Sequence, residues 1–169
     1  PMKEDIRKVL DNVAGQKVEM IDLKFVDLFG GWHHLTIPAR ELTGDFFLKG
    51  AGFDSSSVLG FKSVEAGDMV LLPDPGCCFM GPFWEAPTLS LICNIVEADT
   101  HERFLRDPRS IAARAEEYLR ETGIASDSLW GPEFEYHMFD GVKVLNQPHR
   151  MGYEFVSAEA DWVSNEPKS

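Results

Sequence analysis

The 169-residue sequence has little cysteine, a deficit of basic residues and no long apolar run. Each shortage excludes something. No stretch approaches the length of a membrane span, and the N-terminus lacks the basic-then-apolar pattern of a signal peptide. Membrane insertion is therefore not expected, and a cytoplasmic location is. Three cysteines, Cys77, Cys78 and Cys93, are an odd count without metal-type spacing. Adjacent Cys77 and Cys78 are poor disulfide partners for each other, so a reduced protein is expected. Sixteen basic residues stand against 28 acidic ones, a net charge of −12. That disfavours a nucleic-acid or anionic-membrane partner, both of which need basic patches. No internal repeat or low-complexity tract occurs.

What is present reads as a soluble α+β chain. Ile6, Val9, Leu10 and Val13 recur at the spacing of one helical face, predicting an amphipathic helix over Met2–Val13 with Gly15 as its stop. Ile21, Leu23 and Phe25 alternate with Asp22 and Lys24, as on a half-buried strand. Gly30-Gly31 turns that strand into a second one, Trp32–Ile37, making a hairpin. His33 and His34 fall on opposite faces without a metal partner at useful spacing, and are read as structural. A short helical turn is expected within Arg40–Leu48, then a Gly/Ser-rich loop at residues 52–57. Further strands are expected at Asp68–Leu72, Cys77–Met80 and Thr88–Glu97, the first ended by Pro73-Asp74-Pro75-Gly76. Asp107-Pro108 marks a helix start, and Gly123 its end. Beyond Gly141 the chain turns polar, Tyr153–Ser169 has no strong period, and Ser164–Ser169 reads as an unfinished loop.

The chemistry concentrates in Leu129–Asp140, LWGPEFEYHMFD. Its composition suits a strand, on which Glu133, Glu135, His137 and Phe139 share one face. Two neighbouring carboxylates repel unless a cation or shared proton offsets them, and an all-oxygen pair suits Mg²⁺ or Mn²⁺ better than zinc. A solvated acidic face is the plainer reading of the same residues. A second feature is Asp54-Ser55-Ser56-Ser57, which by itself reads as a serine turn or helix cap.

Four segments in order resemble the glutamine synthetase family. FDSSSVLGF (Phe53–Phe61) resembles its F-D-G-S-S loop, and DMVLLPDP (Asp68–Pro75) the strand and turn that follow. RDPRSIAARAEEYL (Arg106–Leu119) resembles the helix opening the catalytic domain, and GPEFEYHMFD (Gly131–Asp140) its first metal-bearing strand. The resemblance implies a β-grasp-like domain over residues 14–103 and the start of a catalytic domain over 104–169. It implies an ATP-dependent ligase joining ammonia to glutamate through a γ-glutamyl phosphate, with Mg²⁺ or Mn²⁺, in a homo-oligomer. Glu135 would serve the ion on the glutamate side, and Glu133 the ion bridging the ATP phosphates. Asp54 would bind ammonium and take its proton, with Ser57 supporting it. In the family's ring assemblies that loop completes the neighbouring subunit's site.

Two departures qualify the resemblance. Ser55 stands where the family loop has glycine, and would be strained if that position needs a left-handed backbone. The chain also ends before the family's remaining metal ligands and substrate-binding arginines, so this piece is expected to be inactive alone. Two alternatives stay open: a ligase of the same family acting on polyamines or other amines, and a non-catalytic interaction or regulatory module with this fold.

Overall fold

The computed structural model describes residues 2–158, so Ser164–Ser169 lies outside the described residues. The chain divides into two compact units, one ending at Ser128 and the other beginning at Leu129.

The first unit is a curled five-stranded sheet carrying a helix, the β-grasp arrangement. Its elements are α1 (Met2–Gly15), β1 (Met20–Val26), β2 (Trp32–Pro38), the short helix α2 (Phe46–Lys49), β3 (Ala51–Asp54), β4 (Asp68–Met80), β5 (Thr88–Glu97) and α3 (Pro108–Glu121). Strand order is β2-β1-β5-β4-β3, with β1 and β5 parallel at the centre and every other neighbour antiparallel. The periodicities set these elements. Ile6 and Val9 of α1 bury against the sheet, while Glu4 and Asp5 sit in its first turn, where the helix dipole favours acid. Ile21, Leu23 and Phe25 of β1 meet Leu71 of β4 and Leu89, Leu91, Cys93 and Ile95 of β5 in one core. Cys93 is a free thiol whose pKa burial pushes up to about 12, which leaves it unreactive.

Two carboxylates, Asp22 of β1 and Asp27 of the turn after it, hold the two histidines of β2, which lie on opposite faces of the sheet. Asp22, only 1% exposed, pairs with His34 Nδ1 at 3.1 Å and accepts the Thr36 hydroxyl at 2.5 Å. Asp27 closes the β1–β2 turn by accepting the Phe29 and Gly31 amides, each at 2.8 Å, and it pairs with His33 Nε2 at 2.8 Å. The His33 ring stacks on Phe25, centroids 5.2 Å apart.

Three details differ from the sequence reading. The separate strands expected at Asp68–Leu72 and Cys77–Met80 are one strand, β4. Its pairing with β5 breaks between Pro73 and Cys78 and then resumes. Prolines at 73 and 75 have no N–H to give the ladder, so the chain bulges there instead of turning away. The loop expected at 52–57 begins as β3, which pairs with β4 from Ala51↔Leu71 to Asp54↔Asp68. The second unit contains an unexpected hairpin, β6 (Gly141–Gln147) with β7 (Arg150–Val156). Its strands leave Val142, Val144, Met151 and Tyr153 exposed, so burial supplies little of the pattern that a sequence reading detects.

The candidate amine loop and acidic segment

Asp54 is the last residue of β3 and the cap of a single 3₁₀ turn, Ser55–Ser57. Its Oδ1 accepts the Ser56 amide at 2.8 Å, the closed ring that an Asp favours at a turn. That bond, reinforced by the Ser56 side chain, holds the carboxyl below its ordinary pKa, so Asp54 is ionised at neutral pH. The side chain is exposed and free to meet a cation. Ser57 donates its hydroxyl to the Asp54 main-chain oxygen at 3.4 Å, a contact with the backbone and not with the carboxylate. The group holding the carboxylate is therefore the main chain of Ser56. An Asp two residues before a serine amide is an Asx-turn pattern, so this partner was available to sequence reasoning.

Ser55 does not carry the expected strain. Among the described residues only Lys17 and His101 are non-glycine residues with positive φ. Ser55 instead starts the 3₁₀ turn, its N–H bonded to the Gly67 carbonyl at 2.8 Å. It is fully buried, and its hydroxyl has no hydrogen-bond partner. The cost at this position lies in that unpaired hydroxyl and not in the backbone. Ser55→Ala should accordingly match or exceed the parent in stability, by up to about 1 kcal/mol. Ser55→Gly should fall below Ser55→Ala by about 0.5–1 kcal/mol, because glycine removes the same hydroxyl but has more backbone freedom to lose. Urea melts of the three proteins decide the matter: a glycine variant more stable than the alanine variant would restore the strain argument.

Glu133 and Glu135 lie in the second unit, on a segment that forms neither helix nor paired strand. The expected strand is thus not made among the described residues. The reason is physical: a strand is stabilised by a neighbour's hydrogen bonds, and none lies alongside. His137 and Phe139 stack with centroids 6.1 Å apart, and Phe139 stacks on Phe155 of β7 at 4.3 Å. On the alternate positions Phe134, Tyr136 and Met138 are 84%, 78% and 80% exposed. An apolar row left open in this way is suited to burial under further protein.

The fit to a divalent ion is correct in kind and short in number. Carboxylate oxygens suit Mg²⁺ or Mn²⁺, but two side chains offer about four oxygens where about six are needed. Among the described residues no group of three His, Cys, Asp or Glu side chains is placed to hold a metal. No described helix is long and apolar enough to cross a membrane.

Comparison with known proteins places this geometry. Residues 17–98 match the family model "Glutamine synthetase, beta-Grasp domain", and residues 105–168 match "Glutamine synthetase, catalytic domain". The glutamine synthetase of Azotobacter vinelandii is 43% identical over 155 residues, covering 92% of this chain and 33% of the relative. That of Aquifex aeolicus is 42% identical over 162 residues, covering 96% and 34%. Among solved structures, a cryo-EM Plasmodium falciparum glutamine synthetase superposes with a TM-score of 0.68 at 18% identity. It covers 90% of this chain and 29% of its own. A structure titled "GmaS/ADP complex" superposes at 0.60 with 20% identity, covering 67% and 25%. The chain thus spans about a third of the length of the curated relatives it matches.

Proposed function

This chain belongs to the glutamine synthetase family, and we propose that it is part of an ATP-dependent ligase forming glutamine from glutamate and ammonia. The observation that carries the proposal is the order of the matches. A β-grasp domain bearing the Asp54 loop precedes a catalytic-domain start bearing Glu133 and Glu135. The proposed division is residues 14–103 for the first and 104–169 for the second.

In this reading ATP phosphorylates the glutamate γ-carboxylate, and the ammonia nitrogen then attacks that carbon as phosphate leaves. Ammonium carries a proton too many to attack, and the residue for it is Asp54. Its exposed, ionised carboxylate holds the cation and takes one proton from it, so that the ammonia left behind has a free lone pair to attack the carbon, its further proton leaving with the phosphate. Because its hydrogen bond to Ser56 lowers its basicity, holding and orienting the cation is the larger part of its work. Ser57 steadies the turn through the Asp54 carbonyl. Glu133 and Glu135 would be two ligands of the divalent ions, which when bound neutralise charge on the transferred phosphoryl group. The other ligands, and the strands that would cover Phe134, Tyr136 and Met138, would come from the parent beyond this chain. The proposal includes homo-oligomeric assembly, with the Asp54 loop serving a neighbouring subunit, and a cytoplasmic location, to which the free thiols are suited. The strain at Ser55 that favoured another amine substrate, or loss of chemistry, is absent, so ammonia is the proposed substrate.

The test compares the full-length parent with the 169-residue chain. The parent should release phosphate from ATP only with glutamate and ammonium together, and the chain alone should release none. In calorimetry the chain should bind Mn²⁺ weakly, with no saturable site that Glu133→Ala/Glu135→Ala abolishes. Turnover by the 169-residue chain, freed of host enzyme, would overturn the division of labour. A parent active with another amine but not with ammonium would overturn the substrate.

A further inference from the structure

Gly67 lies between the Ser55–Ser57 turn and β4, and nothing in its own backbone explains why it is glycine. Its φ is −73° and ψ −18°, ordinary right-handed values open to any residue. The explanation is spatial. A Cβ at position 67 would lie 2.4 Å from Asp54 Oδ1, 3.3 Å from the Ser56 Cβ and 3.4 Å from the Ser56 nitrogen. The first distance is far inside van der Waals contact. Oδ1 is also the oxygen that accepts the Ser56 amide.

Something must yield if a side chain is added, and the surroundings select what. The carbonyl of Gly67 is bonded to the Ser55 amide at 2.8 Å. The next residues, Asp68 and Met69, pair with Asp54 and Phe53 in the β3–β4 ladder, and Met69 is buried in the core. The backbone is held at the Gly67 carbonyl and just beyond it. The Asp54 carboxylate sits at the free end of an exposed side chain and rotates at least cost.

We propose that Gly67 is a positioning residue for Asp54: the missing side chain is what lets the carboxylate lie against the Ser56 amide and so fixes its direction. This rests on the reading of Asp54 as the amine-binding carboxylate, but the placement itself is tested without any assay of catalysis. In the family reaction, a carboxylate turned away from Ser56 would lose both its fixed direction and the hydrogen bond that keeps its basicity low.

The experiment is a carbon-detected NMR titration of the Asp54 carboxyl in the 169-residue chain and in Gly67→Ala, following the Ser56 amide alongside. In the parent chain the Ser56 amide shift should titrate together with Asp54, below the ordinary aspartate range. In Gly67→Ala the Asp54 midpoint should rise toward the ordinary value, and the Ser56 amide should no longer follow it. Unchanged titrations in a folded Gly67→Ala chain overturn the proposal. Melts of Gly67→Ala in the Asp54→Ala background settle the case where the single variant fails to fold. If removing the Asp54 carboxylate restores folding, the collision is with that side chain, as proposed. If the double variant also unfolds, Gly67 serves the backbone packing and the proposal falls. Should Asp54 prove dispensable for amide formation, the functional reading fails while this placement stands or falls on its own data.

Discussion

Asparagine in place of Asp54 should lower amide formation by the full-length parent about two to four powers of ten, the usual scale for a removed general base. The fold should not change. Asn keeps an oxygen to accept the Ser56 amide and is as good a cap as Asp, and the position is exposed. What it loses is the negative charge that holds ammonium and nearly all of the basicity that takes its proton. The loss should therefore appear in both terms, as a raised KM for ammonium and a lowered kcat. ATP binding should change little. The measurement is steady-state kinetics with varied ammonium, beside a thermal melt. The sign of the pH dependence follows from the lowered pKa of Asp54. The carboxylate stays ionised above the ordinary aspartate range and is lost only as pH falls through its depressed value. This group therefore places no acid limb near neutrality. Wild-type kinetics with ammonium in Asp54→Asn would mean that the amine is activated elsewhere.

The second large effect concerns stability, at Asp107. This residue is 1% exposed and caps α3, and it binds three donors: the Arg109 amide at 3.1 Å, the Ile95 amide at 3.2 Å and the Ser110 hydroxyl at 3.3 Å. One carboxylate thus joins the helix start to the central strand β5. Arg109 adds an ion pair to Asp74 of β4 at 2.7 Å. Asp107→Ala removes a cap, at about 1 kcal/mol. It also leaves the Ile95 amide buried without an acceptor, at about 1–3 kcal/mol. A total loss of about 2–4 kcal/mol is expected, a large part of a typical domain stability of about 5–15 kcal/mol. Asp107→Asn should cost less, since it keeps one acceptor oxygen and carries no buried charge.

Burial raises the Asp107 pKa, against the pull of its hydrogen bonds. A raised folded value means that its stabilisation is complete below the ordinary aspartate pKa and declines as pH climbs through the folded one. Asn does not titrate. The stability difference between the parent chain and Asp107→Asn should therefore shrink over that window and level off above it. Urea melts across pH measure this. A difference that grows with pH, or an alanine variant within 1 kcal/mol of the parent, would show that the cap is not the joint described.

Much of this was legible in the chain because it depends on short-range periodicity. The helical stripe Ile6–Val9–Val13, the alternation Ile21–Leu23–Phe25, the run Thr88–Glu97 and the Asp107-Pro108 start each encode an element within a few residues. Each formed as its pattern indicates. Motif order likewise carried the family, since it needs only residue identity and spacing. Three things were decided at longer range. The bulge that keeps β4 one strand depends on β5 resuming its ladder after the prolines. The state of Ser55, unstrained yet with an unpaired hydroxyl, depends on its burial and on the carbonyl of Gly67, twelve positions away in sequence. Glu133 and Glu135 alternate in sequence, but among the described residues no strand pairs with them. Spacing along a chain determines which side chains can share a face; whether that face becomes a strand, a cap or a site depends on hydrogen-bond partners brought in from distant residues.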